Sequence, residues 1–282
     1  MPEGTLAILA GRDSLPERIA EDRRARGLPY LVIVFEGTVP AWVAGHPHQI
    51  HRFERVGRLF SALRTAGCTE VVFAGAMDRP RLRPWRADAK ALSVAARVFR
   101  LLRQGDDGLL RGLGGIFEAE GLRLVSAGDC LPDLLAGPAL IGPRRPSEDD
   151  LADARRATEI LRTLGPLDVA QAAAVARGVC LGIEAIEGTD ALLARIAALP
   201  PEKRAHCPPP SGVLVKLPKP GQDRRVDLPT IGPATLEGAA RAGLAGIVAE
   251  ADGTQLLDRP AIETAARSHR LFVWIARPEE LA

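Results

Sequence analysis

The sequence predicts an α/β protein with two domains, and three observations support this class. Short apolar runs without alternation recur along the chain and are separated by stretches of helical length, which is typical of parallel strands covered on both faces. The 282 residues exceed the usual size of one hydrophobic core, and a hydrophobic content of 46% is enough for two cores. A segment rich in proline and glycine also interrupts the chain near its middle.

The first half of the chain alternates strands and helices. An apolar strand at 5–10 precedes a turn and a helix that begins at Leu15-Pro16 and ends near Gly27. Proline in a first helical turn loses no hydrogen bond, because that N–H has no partner within the helix. Further strands are predicted at 30–35, 70–74 and 122–126, and further helices at 58–66, 87–103 and after Asp107. This order implies right-handed βαβ units, and we therefore expect a Rossmann-like sheet.

A domain linker is predicted in the middle of the chain. The segment 131–150 holds four prolines and two glycines in twenty residues, a composition typical of exposed connections. The domains are therefore placed at 1–135 and 148–282, with the linker at 136–147. The next helix begins at Ser147, where Ser147 and Asp150 have the spacing of a capping box with Asp in place of Glu.

The second half of the chain predicts a second α/β domain. Its apolar runs are short and are again separated by helical patterns. Strands are predicted at 169–176, 178–186, 212–216, 246–249, 255–257 and 271–275, and helices at 147–164, 190–198, 233–242 and 259–268.

Charge and cysteine content exclude several classes of function. The 37 basic and 35 acidic residues nearly cancel, so no large field of one sign marks a nucleic-acid-binding protein. The four cysteines, Cys68, Cys130, Cys180 and Cys207, have no CxxC or CxxH spacing for zinc or a redox pair. No apolar run reaches the ~18 residues of a membrane span, and no basic segment precedes the first apolar stretch. We therefore expect a soluble, cytoplasmic protein.

Two turns in the first half are candidate ligand sites. "LAGRDSLP" lies between a strand and a helix, where anions can bind, but Gly11 alone stands where a dinucleotide fingerprint has three glycines. "FAGAMDRP" follows the third strand, and the carboxyl ends of parallel strands are where ligands bind in open sheets. Gly75, Asp78 and Arg79 are therefore candidate substrate-binding residues.

Two further groups in the first half remain ambiguous. Asp106 and Asp107 in "QGDDGLLR" either cap a helix or bind a sugar hydroxyl or a metal-bound water. His46, His48 and His51 lie in "GHPHQIHRF". Their HxH spacing can bind a metal, and a surface loop explains them equally well.

Three acids in the second half indicate a cation site. Glu184, Glu187 and Asp190 fall within seven residues at a predicted strand-to-helix junction. Carboxylate oxygens of this kind are the ligands of hard cations. The alternative is that Thr189 or Asp190 caps the following helix and that the glutamates are solvated.

The strongest motif is "VKLPKPGQDRRVDLPTIGP", residues 215–233. It contains Lys216, Lys219, Arg224 and Arg225 beside Asp223 and Asp227, with Pro218, Pro220 and Pro229 restricting the backbone. Cations on a stiff loop suit a phosphorylated ligand. The acids can then hold Mg²⁺ or act as a general base for water. A solvated linker is the alternative.

The motifs resemble those of a known family. "EAIEGTDALLARIAALP", the string "PKPGQDRRVDLPTIG" and "LLDRPAIETAARSHRLFVWIA" are similar to the C-terminal domain of the LpxI-type UDP-2,3-diacylglucosamine pyrophosphatases of lipid A biosynthesis, and "FAGAMDRP" and "GDDGLLR" resemble their N-terminal domain. The family's early turn is GxGxLP, whereas this chain has Gly11-Arg12-Asp13-Ser14-Leu15-Pro16.

The resemblance implies a Mg²⁺-dependent hydrolase. Water attacks the α-phosphorus of UDP-2,3-diacylglucosamine and yields UMP and 2,3-diacylglucosamine 1-phosphate. It also implies two domains that hold the lipid product between them, a homodimer, and transient contact with the inner membrane surface. The family's critical aspartate lies in "RVDLPT", which is Asp227 here.

Motif and resemblance together assign roles to the loop. Asp227, Lys216 and Arg225 are predicted catalytic residues, and Lys219, Gln222, Arg224 and Thr230 are predicted to bind substrate. Asp223, Asp227 and the acids at 184–190 are the predicted metal ligands. The alternative function is a non-catalytic module that binds a nucleotide sugar or phospholipid. An NAD(P) oxidoreductase rests on fold analogy alone, and the lone Gly11 argues against it.

Overall fold

The computed structural model describes residues 4–37, 39–77, 83–101, 106–204 and 209–281. The chain divides into two compact units. The first unit comprises Met1–Pro132 together with Asp223–Asp227, and the second comprises Asp133–Gln222 and Leu228–Ala282. A five-residue piece of the charged loop is therefore part of the first unit, although it lies far along the chain.

The first unit is built on a five-stranded parallel sheet with the order β3-β2-β1-β4-β5. Its first two strands along the chain are apolar and buried, as expected when helices cover both faces. The five strands are β1 (Thr5–Ala10), β2 (Tyr30–Phe35), β3 (His48–His51), β4 (Cys68–Ala74) and β5 (Arg123–Leu124). Because order and direction are fixed, the carboxyl ends of β1 and β4 lie side by side.

Helices of the first unit pack their apolar residues against this sheet. Phe60 and Leu63 are almost fully buried, and the ring of Phe60 meets that of Phe117 edge to face with centroids 5.1 Å apart. Burial of such side chains contributes about 1.5–3 kcal/mol each. The helices are α1 (Leu15–Ala25), α2 (Val56–Thr65), α3 (Ala89–Leu101), α4 (Asp106–Ala119) and the short α5 (Ala127–Cys130).

The second unit contains a six-stranded mixed sheet with the order β6-β13-β11-β9-β7-β8 and a small parallel pair, β10-β12. The central strands β9, β11 and β13 are parallel, and β6 and β7 run antiparallel to their neighbours. The strands are β6 (Ala139–Ile141), β7 (Ala172–Ala176), β8 (Val179–Ile183), β9 (Val213–Lys216), β10 (Thr230–Ile231), β11 (Gly246–Glu250), β12 (Gln255–Leu256) and β13 (Phe272–Ala276).

Helices cover both faces of the second sheet. Helix α6 (Glu148–Leu164) buries its apolar side in one cluster, and α7 (Gly188–Ala197), α8 (Pro233–Arg241) and α9 (Arg259–His269) contribute to the other. The predicted capping box is confirmed, because Asp150 N–H donates to Ser147 Oγ and Ser147 N–H donates to Asp150 Oδ2. In the described ranges no helix has both the length and the apolar character needed to cross a membrane.

The predicted α/β class is confirmed, and two local predictions need correction. The histidine segment, for which a surface loop was one of two interpretations, contains β3, an edge strand of the first sheet. A linker at 136–147 is not confirmed, since Ala139–Ile141 form β6 and pair with β13. Both strands are only three or four residues long, so hydrophobic periodicity could not reveal them.

Candidate active site

Lys216 is the last residue of the central strand β9, and it is only 5% exposed. Its ammonium donates a hydrogen bond to the Thr230 carbonyl oxygen at 2.8 Å. Burial of a cation is costly unless its donors are satisfied. The position of this side chain is therefore fixed by β9 on one side and β10 on the other.

The charged loop, residues 217–229, connects β9 to β10, and its first part is held by contacts within the second unit. The Lys219 N–H donates to Gln222 Oε1 at 2.8 Å, and the Lys219 ammonium forms an ion pair with Asp168 at 2.5 Å. Pro220 packs on Gly165, where a Cβ would lie 2.5 Å from the Pro220 Cδ. These contacts make the turn at 219–222 rigid.

Thr230 ends the loop and pairs with β12. Its hydroxyl lies 3.2 Å from the Leu228 carbonyl oxygen and 3.3 Å from Gln255 Oε1. Thr230 is half-buried. Thr230 therefore positions the backbone carbonyl oxygen that accepts the hydrogen bond from the Lys216 ammonium.

The segment Asp223–Asp227 is held by contacts within the first unit. Arg225 donates to both oxygens of Asp223, at 3.0 and 2.8 Å, and to Glu118 Oε1 at 2.8 Å. Val226 is buried in the hydrophobic core of this unit. The segment is thus anchored by one apolar side chain and one guanidinium.

These ion pairs fix the charge of the segment. The hydrogen bond from Arg225 is the main reason why the pKa of Asp223 is lowered, and Asp223 in turn raises the pKa of Arg225. Asp227 is half-buried, and its N–H lies 3.3 Å from the Asp223 carbonyl oxygen. Arg224 is exposed.

The three predicted acids of the second unit have different surroundings. Glu184 is 7% exposed, and it accepts a hydrogen bond from the Thr189 hydroxyl at 2.9 Å. Glu187 pairs with Arg195 at 3.1 Å. Asp190 is exposed in the first turn of α7. Because α7 begins at Gly188 after Glu187, neither Thr189 nor Asp190 is its N-cap.

Strand register brings Glu184 and Lys216 to the same edge of the second sheet. Ala172 lies opposite Lys216 in the β7-β9 ladder, and the Ala172 carbonyl oxygen accepts the Glu184 N–H at 2.9 Å. Glu184 Oε2 is buried and has no hydrogen-bond partner among the described residues, and the same holds for Gln171 Oε1. We call Gln171, Glu184, Lys216, Thr230 and Gln255 the polar edge.

The predicted metal ligands differ in how well their surroundings suit a bound cation. No group of three or more His, Cys, Asp or Glu side chains that could hold a metal occurs in the part of the chain that the structure describes. Asp223 and Glu187 are each engaged by an arginine. Glu184 retains a buried oxygen without a partner, so it fits an oxygen ligand better than the other two.

The corresponding edge of the first unit is closed by its own backbone. Gly75 has φ of 81°, and a Cβ there would lie 2.2 Å from the Arg12 carbonyl oxygen. Asp13 accepts hydrogen bonds from the N–H groups of Leu15 and Ala76, at 2.8 and 3.2 Å. Burial raises the pKa of Asp13, and these two hydrogen bonds oppose that shift. The Asp13 carboxylate therefore occupies the start of α1, which is the position where the sequence suggested that an anion could bind.

The structure describes the remaining predicted site residues of the first unit only in part. Asp78 and Arg79 lie outside the described residues. Asp106 and Asp107 are the first residues of α4, and their side chains are outside the described part.

Sequence reasoning missed residues that hold the loop from a distance. Asp168 and Gln255 contact Lys219 and Thr230, and Glu118 contacts Arg225. Glu118 lies 107 positions from its partner. No local pattern identifies such pairs, since each depends on how distant segments fold together.

Fold and site first define a class of protein. The chain is an α/β protein of two units, and the second unit presents a buried lysine and a buried carboxylate at the carboxyl end of its sheet. In open α/β sheets this edge is where ligands bind.

Comparison with known proteins then assigns the family. Residues 5–134 match the family model described as the LpxI N-terminal domain, and residues 137–274, which include the charged loop, match the LpxI C-terminal domain. The chain is 38% identical over 275 residues to the UDP-2,3-diacylglucosamine pyrophosphatase LpxI of Caulobacter vibrioides, an alignment that covers 98% of each protein. The chain belongs to the LpxI family, and the resemblance seen in its motifs is confirmed.

Proposed function

We propose that this protein hydrolyses the pyrophosphate bond of UDP-2,3-diacylglucosamine in lipid A biosynthesis and releases UMP and 2,3-diacylglucosamine 1-phosphate. The observation that carries this proposal is the 38% identity to a relative of that name over 98% of both chains. The contacts that hold the charged loop support it, because cations and carboxylates in fixed positions are what phosphoryl transfer requires.

In this proposal Asp227 orients the attacking water and accepts its proton, while Lys216 and Arg225 neutralise the charge that develops on the phosphoryl oxygens. Water attacks the α-phosphorus, and the bond to the bridging oxygen breaks, so that oxygen leaves with the sugar phosphate. Lys219, Gln222, Arg224 and Thr230 are proposed to bind substrate.

We propose that carboxylates of this chain hold Mg²⁺, with Asp227 as the main candidate and Glu184 as the next. The unpartnered oxygen of Glu184 supports its inclusion, whereas Asp223 and Glu187 already have arginine partners. When bound, the ion would neutralise phosphate charge and lower the pKa of water.

Three finer features belong to the same proposal. The parallel order β3-β2-β1-β4-β5 supports a Rossmann-like first unit. We propose a cytoplasmic enzyme that makes transient contact with the inner membrane surface. The two acyl chains of the proposed substrate support this membrane contact. A homodimer is proposed on the resemblance to the family alone.

Release of UMP from UDP-2,3-diacylglucosamine with Mg²⁺ tests the function. We expect turnover by the native chain and a loss of about 100-fold or more in Asp227→Asn, because the amide cannot take a proton and binds a cation weakly. Asp149→Asn, at an exposed position on α6, is the matched control and should retain full activity. Substrate binding without turnover at any Mg²⁺ concentration would indicate the non-catalytic alternative, and equal rates in both variants would remove Asp227 from the mechanism.

A further inference from the structure

The first unit contains a cleft of about 610 Å³, and none of its lining residues belongs to the turns 11–14 and 75–77 that follow β1 and β4. The cleft is bounded by the edge strand β3 and by helix α2, which follows β3 in the chain. Three of its lining residues are Arg52, Arg55 and Arg58. We call this site the arginine cleft. None of its residues belongs to the proposed catalytic machinery.

Local backbone geometry places the three guanidiniums on one side of the chain. Arg52, Arg55 and Arg58 are spaced three residues apart, and the Arg52 carbonyl oxygen accepts the Arg55 N–H at 3.0 Å. Arg55 is the N-cap of α2, so Arg58 lies one turn further on. Residues three apart on a helix are neighbours, and like charges so placed repel each other unless an anion is shared.

Only one of the three arginines has a carboxylate partner within the described ranges. Arg52 Nε donates to Glu36 Oε1 at 2.6 Å, while Arg55 and Arg58 have no ion pair there. Three arginines and one glutamate leave a formal charge of +2 among the charged residues that line the cleft. Cations in a concave site focus the field and attract anions.

The start of α2 does not itself offer an anion site. The N–H groups of Gly57 and Arg58 both point to Asp88 Oδ2, at 2.8 and 3.3 Å. Side chains must therefore supply the contacts. The pKa of His51 is lowered by burial and, second, by the charge of Arg58, which agrees with a guanidinium directed toward the cleft.

We propose that the arginine cleft binds a phosphate-bearing anion. Guanidinium groups bind phosphate through paired, charge-assisted hydrogen bonds. Ser61 and Thr65 line the same cleft and follow Arg58 on one face of α2, so their hydroxyls add neutral donors. The volume suits a small ligand. A free phosphate compound and the headgroup of an anionic lipid share this chemistry.

Binding to the full chain tests the proposal. Pyrophosphate is titrated by calorimetry without Mg²⁺, and vesicles of phosphatidylcholine with or without phosphatidylglycerol are sedimented with the protein. The variant Arg55→Gln/Arg58→Gln removes two charges from the cleft. The control Arg24→Gln/Arg155→Gln removes two charges from exposed helix positions elsewhere, so both variants have the same net charge.

We expect the cleft variant to bind one probe at least about tenfold more weakly than the native chain, and the control to match the native chain. An effect confined to pyrophosphate identifies a soluble phosphate ligand, and an effect confined to phosphatidylglycerol vesicles identifies a lipid headgroup. Absence of binding by the native chain, or equal weakening in both variants, overturns the proposal.

Discussion

The carboxyl edges of the two sheets differ in how their polar groups are satisfied. In the first unit the turns after β1 and β4 pack backbone against backbone, and Asp13 bonds the nearby N–H groups. In the second unit the polar edge includes buried Lys216 and Glu184, and Glu184 keeps an oxygen without a partner among the described residues.

This contrast shows that topology alone does not make a ligand site. Both edges have the position at which ligands bind in open sheets. The chemistry of the residues decides which edge has donors and acceptors to spare, because a buried polar group without a partner costs free energy unless a ligand satisfies it. Three predictions test the two sides of this comparison.

The largest expected effect is on the closed edge of the first unit. Gly75→Ala adds a Cβ that would lie 2.2 Å from the Arg12 carbonyl oxygen, at a φ of 81°. Gly121 has a similar φ of 87° with nothing within 4 Å of its Cβ position, so Gly121→Ala carries the conformational strain alone. We expect a loss of about 3 kcal/mol or more for Gly75→Ala and about 1–2 kcal/mol for Gly121→Ala, measured by urea unfolding. Equal losses would mean that the two turns do not pack closely.

The next effect concerns the open edge of the second unit. In the proposed function Glu184 contributes an oxygen to Mg²⁺, whereas Glu187 is held by Arg195. We expect Glu184→Gln to raise the Mg²⁺ concentration for half-maximal activity by about tenfold, while Glu187→Gln changes it little. The measurement is UMP release as a function of Mg²⁺. If the two variants behave alike, the unpartnered oxygen of Glu184 has no part in metal binding.

The smallest effect is a difference in pH dependence between two acids of the first unit. Burial raises the pKa of Asp13, so its contribution to stability is present below its ordinary pKa of 3.8 and is lost as pH rises through the folded value. Arg225 lowers the pKa of Asp223, so the contribution of Asp223 is present above 3.8 and is lost as pH falls through the folded value.

Unfolding free energies of Asp13→Asn and Asp223→Asn, measured against pH, separate these signs. Relative to the native chain, Asp13→Asn should gain stability as pH rises above 3.8. As pH rises toward 3.8, Asp223→Asn should lose stability relative to the native chain, and above 3.8 the difference between the two unfolding free energies should stay constant. Parallel curves for the two variants would contradict the different surroundings of these carboxylates.

Much of the secondary structure was predictable because its signals are local. The strands at Thr5–Ala10 and Tyr30–Phe35 have the predicted bounds, and the capping box at Ser147 is present. The strands β3 and β6 were missed, since runs of three or four residues are too short to show a hydrophobic period. They form because an adjacent strand offers an unpaired edge, which only the folded sheet provides.

In the candidate site, too, the residue types were predictable and the contacts between distant residues were not. Residue types in the charged loop were sufficient to suggest phosphate chemistry, and the family followed from the same string. Their partners were not predictable: the pairing of Arg225 with Glu118 and of Lys219 with Asp168 joins positions 107 and 51 residues apart.

The sequence by itself determined the α/β class, the restriction that the prolines place on the loop backbone and the kinds of charge that the loop carries, because propensity, proline and ionisation are properties of single residues and their neighbours. Only the tertiary structure decided which charges are already paired, which edge is closed by its own backbone and which carboxylate keeps an oxygen without a partner among the described residues. Hydrogen bonds and ion pairs form at distances of about 3 Å, and those distances are set by the packing of segments that are remote in the chain.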